Sequence, residues 1–213
     1  MRLPLTRLLV CLCLSASADP TPPAPASPTA EVETVVFIRH GEKPAADLGQ
    51  LNCQGLNRAL ALPNVLIPRY GKPNFIFAPN PTKKVGLGGA QFSYIRPLMT
   101  IEPTAIRLGL PVNTTYAFDD LDGIARELTG PSYEHSLIFV AWEHKALNQL
   151  VKNLIKSLGG DPGAVPAKWE SPDFDSIYIL KIGTESGHRT VSFAHEQEGL
   201  NGESPDCPEA KPE

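Results

Sequence analysis

Arg39, His40 and Gly41 stand together at the end of a β-branched apolar run, Val35-Val36-Phe37-Ile38. Their types suit one kind of chemistry. A guanidinium offers a planar fork of donors that fits phosphate oxygens. An imidazole is a nucleophile near neutral pH. Gly41 lets the backbone turn and approach a ligand closely. Three further positions extend the set. Arg96 lies near a helix start in SYIRPLMTIEPTA, where an anion is favoured. His144 follows the run SLIFVAW and opens a helix, repeating the layout around His40. An acidic group comes from the loop Phe118-Asp119-Asp120-Leu121-Asp122.

Alternating strand and helix signals must position these residues. Apolar runs predict strands over 35–39, 75–78, 111–113, 136–142, 176–180 and 190–193. Helices are predicted over 55–66, 93–108, 121–128 and 144–158. The last carries an apolar stripe at 147, 150, 151, 154, 155 and 158 and stops at Gly159-Gly160. Residues 83–89, with three glycines, read as a loop. The alternation implies a single three-layer α/β/α domain with a mostly parallel central sheet. Ligands bind such sheets at the C-terminal ends of the strands, where Arg39 and His40 fall and where His144 follows.

Residues 1–18 read as a signal peptide: Arg2 and Arg7, an apolar stretch Leu8 to Leu14, and cleavage after Ala18. The apolar stretch is too short to span a bilayer. Residues 19–30, DPTPPAPASPTA, read as a proline-rich linker, and 31–213 as the folded domain. The expected location is the periplasm or the secreted fraction. Loss of Arg2 and Arg7 takes the formal net charge from −4 to −6, which argues against nucleic acid as a partner. Cys11 and Cys13 leave with the signal. Cys53 and Cys207 remain, either as one disulfide or as two thiols.

Arg39-His40-Gly41 after the first strand, Arg96 with Thr100 four residues on, and His144 after a later strand resemble the histidine phosphatase superfamily. That family includes cofactor-dependent phosphoglycerate mutases. The resemblance covers about Val35 to Phe193. It implies a phosphomonoester hydrolase in which His40 carries a transient phosphohistidine. Arg39, Arg96 and a protonated His144 would surround the phosphoryl oxygens, and neither a cofactor nor a metal ion is required. The stretch Pro111-Val112-Asn113 resembles the strand end that precedes the mutase-like acid, which puts that acid at Asp120, with Asp119 and Glu143 as alternatives.

Other residues carry two readings. Glu42 either orients Arg39 and contacts substrate or is a surface carboxylate. Lys43, Lys83 and Lys84 either rim the pocket or solvate a loop. Arg58 and Arg107 read as helix-surface charges, and Asp173 and Asp175 as turn residues. His135, His188 and His195 fall in no metal-ligand spacing. Trp142 and Trp169 read as core. The expected partner is a small-molecule phosphate ester, and the competing reading is an inactive module that binds phosphorylated ligands.

Overall fold

Glu33–Arg39 forms the first strand, β1, buried over most of its length as its apolar run requires. The structure, a computed structural model, describes residues 32–209. The expected signal peptide 1–18 and linker 19–30 lie outside the described residues. Asn52 caps the next element, α1 (Cys53–Ala61), by accepting the Gly55 N–H at 2.9 Å. The single helix expected over 55–66 is in fact two. Pro63 has no N–H to continue the ladder, so a second helix starts there, α2 (Pro63–Tyr70), and ends at Gly71 with φ 92°.

After β2 (Phe75–Phe77), the expected loop over 83–89 contains a strand. β3 (Lys84–Val85) pairs antiparallel with β4 (Phe92–Ser93). Ser93 therefore belongs to β4, and the next helix, α3 (Arg96–Leu108), opens at Arg96 with Pro97 in its first turn. Gly109 ends it in the left-handed region, φ 64°. β5 (Val112–Asn113), α4 (Leu121–Leu128), β6 (Leu137–Trp142) and α5 (His144–Ser157) fall within a residue of expectation. β7 (Ser176–Glu185) and β8 (His188–Gln197) run longer than expected. Ser186 and Gly187, both at positive φ, fold them into one hairpin.

The sheet order is β5-β2-β6-β1-β7-β8. The first four strands run parallel; β7 and β8 run antiparallel along the other edge. Alternation along β1 sends Val35 and Phe37 into one face and Val36 and Ile38 into the other. The first face packs on Ile124 and Leu128 of α4 and on Leu147, Val151 and Leu154 of α5. The second packs on Leu62 and Leu66 and on Ile101 and Ala105 of α3. The protein is thus the three-layer α/β/α domain the alternation implied, and Trp142 and Trp169 lie in its core.

Two long-range ties join α1 to the C-terminal part of the chain. Cys53 and Cys207 form a disulfide between positions 154 residues apart. Arg58, expected on a helix surface, is fully buried. Its guanidinium pairs with Glu42 at 2.8 Å, Glu198 at 2.6 Å and Asp175 at 3.2 Å. Glu42 therefore orients Arg58, not Arg39. Three carboxyl groups share one guanidinium. Burial pushes the Glu198 carboxyl up to about 8, against the pull of Arg58.

Candidate active site

Strand register brings the two histidines together. β1 and β6 are parallel neighbours, with Arg39 opposite Trp142. The His40 N–H donates to the Trp142 carbonyl at 3.1 Å. Each strand is followed at the same sheet edge by its histidine. Gly41 then lets the chain lie against α1. A Cβ on Gly41 would meet Gly55 backbone at 3.0 Å, and one on Gly55 would meet the Glu42 oxygen at 2.3 Å. Thr100 joins the second arginine to this segment. It accepts the Gly41 N–H at 2.9 Å and donates to the Arg96 carbonyl at 2.8 Å.

His40 is buried, with Nδ1 2.8 Å from the Gly41 carbonyl. A carbonyl only accepts, so Nδ1 carries the proton and Nε2 holds a free lone pair. Burial, reinforced by the positive charges of Arg39 and Arg96, pulls the ring's pKa from 6.5 to about 3. The imidazole is neutral at ordinary pH.

Arg39 is 2% exposed and bound by the segment before β7. Its Nη1 donates to the carbonyls of Ser171 and Asp173, each at 2.7 Å, and its guanidinium carbon lies 3.9 Å over the Phe174 ring. Burial lowers its pKa to about 10, which leaves it charged. Its Nε is buried with no partner among the described residues. Arg96, also buried, donates from Nη2 to Asp47 at 2.5 Å, while its Nε and Nη1 have no such partner. Asp47 sits at φ 51° and also pairs with Lys43 at 3.2 Å. Burial alone would raise the Asp47 carboxyl; Arg96 and Lys43 outweigh it and hold it below the usual range.

His144 is the first residue of α5 and its Nδ1 lies 2.7 Å from the Glu143 carboxylate. Glu143 also caps α5, accepting the Ala146 N–H at 2.7 Å. Burial would raise its pKa, but His144 and the helix N–H groups outweigh burial and hold it at about 2. His40, Arg96, Glu143 and His144 border one cavity of about 380 Å³, together with Lys43, Asp47, Val85, Tyr94, Phe118 and Lys145.

The other expected acids stand elsewhere. Asp120 is exposed and caps α4, accepting the Gly123 N–H at 2.9 Å. Asp119 pairs with Lys83 on the surface at 3.0 Å. Neither borders the cavity. Asp173 behaves as the turn residue expected, accepting the N–H groups of Asp175 and Ser176 at 3.0 Å. Asp175 instead serves the Arg58 cluster. Sequence reasoning passed over Asp47 and Tyr94. The one signal for Tyr94 was its place two residues before Arg96.

No family model and no curated protein matches this chain. Solved structures do. A protein described as the phosphohistidine phosphatase SixA of Nakamurella multipartitia superposes with a TM-score of 0.48 at 13% identity, over 79% of this chain and 97% of its own. A mycobacterial glucosyl-3-phosphoglycerate phosphatase gives 0.48 at 15%, over 76% and 97%. A phosphoglycerate mutase of Plasmodium falciparum gives 0.35 at 10%, over 77% and 99%. Likeness at this level decides no activity.

Proposed function

We propose that the chain is an exported phosphomonoester hydrolase that works through a phosphohistidine on His40. The observation that carries the reading is the set of unpartnered buried donors beside a neutral imidazole: Arg39 Nε, and Arg96 Nε and Nη1. Buried donors left without partners are costly, and a phosphoryl group supplies several acceptors at once.

His40 Nε2 attacks phosphorus, a P–N bond forms, and the ester P–O bond breaks with its electron pair leaving on oxygen. That oxygen takes a proton. Water then attacks phosphorus and gives up a proton, which restores the one taken by the leaving oxygen; the P–N bond breaks, and His40 recovers its lone pair as phosphate departs. Arg39, Arg96 and a doubly protonated His144 stabilise the charge on the phosphoryl oxygens. Positioning and this charge supply the catalysis, so the reading requires turnover that survives chelation. The disulfide supports an oxidising compartment, the periplasm or the exterior.

The proton for the leaving oxygen is the least provided role. Glu143 and Asp47, the carboxylates that border the cavity, are both held ionised. This favours, as a second reading, a module that binds phosphorylated ligands without turning them over. Hydrolysis of an aryl phosphate in excess EDTA tests the choice. Wild type should turn over, and His40→Ala should lose several orders of magnitude in rate. Equal rates in both would refute the covalent role. Absent turnover with intact phosphate binding would favour the second reading. Asp120→Ala should keep its rate and lose about 1 kcal/mol of stability, the ordinary value of a helix cap; a collapse in rate would restore it as the acid.

A further inference from the structure

Tyr94 lies between β4 and α3, two residues before Arg96. Its ring stands edge-on to His40 at 6.0 Å and to Phe118 at 4.9 Å, with the Arg96 guanidinium carbon 4.9 Å from its centre. The residue is 2% exposed and borders the cavity, yet its hydroxyl has no hydrogen-bond partner among the described residues. A buried tyrosine hydroxyl normally finds one. Phenylalanine would supply the same packing without leaving a polar group unsatisfied. The charges that bear on the hydroxyl are those around the cavity: Glu143, Arg96, Arg39 and Asp47.

We propose that Tyr94 is a substrate-contacting residue whose hydroxyl donates a hydrogen bond to a non-bridging phosphoryl oxygen of the ester held at His40. The assignment rests on the phosphohistidine reading above. Burial pushes the phenol above its ordinary range, so the group stays a neutral donor and transfers no proton. An O–H···O⁻ bond to a phosphate dianion is short and about twice as strong as a neutral one. It holds one of the equatorial oxygens, over which the transition-state charge is spread, and a fixed donor placed there speeds the step. It also favours monoesters, whose phosphoryl group offers three terminal oxygens to the surrounding donors.

Tyr94→Phe in the full chain removes only the hydroxyl. Turnover of an aryl phosphate should fall about 10²-fold in kcat, the scale for losing one preorganised donor, with a smaller change in KM. Orthovanadate should bind about 10-fold more weakly. The melting temperature of the free protein should stay level or rise, because the deleted group has no partner there; a purely structural hydroxyl would lower it. The fold-loss should be the same for good and poor leaving groups, and a loss that grows with poorer leaving groups would overturn the assignment to a non-bridging oxygen. Unchanged kcat and vanadate affinity in Tyr94→Phe, while the wild type still needs His40, would overturn the Tyr94 proposal alone. A wild type that neither hydrolyses the ester nor binds vanadate would remove the phosphohistidine reading and this proposal with it.

Discussion

His40 is held as a neutral ring because the fold, not the solvent, sets its protonation. Its folded pKa near 3 lies below the unfolded 6.5, so the unfolded chain binds the extra proton first as pH falls. The stability this group contributes is therefore complete above pH 6.5 and is lost as pH falls toward 3. The acid limb of kcat/KM, which reports free-enzyme groups, should not bend near 6.5 on account of His40. A limb at that pH that does not follow the His40 ring would agree. One that tracks the His40 ring itself by NMR titration would refute the depressed value. Arg39, His40, Arg96 and His144 were legible in the sequence because a strand run or a helix start announces each locally. Asp47 was not. A positive-φ turn puts it on Arg96, and no local pattern marks that contact.

At the scale of elements, the site depends on how closely α1 lies against the segment after β1. Gly55→Ala would drive a methyl into the Glu42 backbone, where no flexible side chain can give way. It is expected to cost about 1–3 kcal/mol, as overpacking does, and to lower turnover by displacing His40. Thermal unfolding and a rate assay check both, and an unchanged rate would mean the His40 loop tolerates the shift. Strand and helix types were mostly legible from apolar periodicity. The exceptions share a cause: Pro63 splits a helix that the apolar pattern alone runs straight through. β3 and β4 are two residues each, too short for a pattern of period two to register. β7 and β8 outrun their apolar stretches because they extend each other as a hairpin.

Over the whole molecule, Arg58 gathers Glu42, Asp175 and Glu198 into one buried cluster. Its misreading as a surface charge follows from distance along the chain. Two of its partners lie 117 and 140 residues away, beyond any local pattern. Removing one member of a buried ion cluster strands the others, so Arg58→Met is expected to cost about 3–5 kcal/mol, read as a shift in the denaturant midpoint. A change below about 1 kcal/mol would mean that solvent already reaches the carboxylates. The same cluster sets an order of assembly. A growing chain that has made Arg58 holds Glu42 but neither Asp175 nor Glu198, and β1 lacks both of its sheet neighbours, β6 and β7. The His40 segment meets α1 and Thr100 early, but Arg39 lacks the Ser171 and Asp173 carbonyls until the chain past residue 170 has been synthesised. A polypeptide built this way completes its cluster of buried charges last, when the segment that carries Glu198 has emerged.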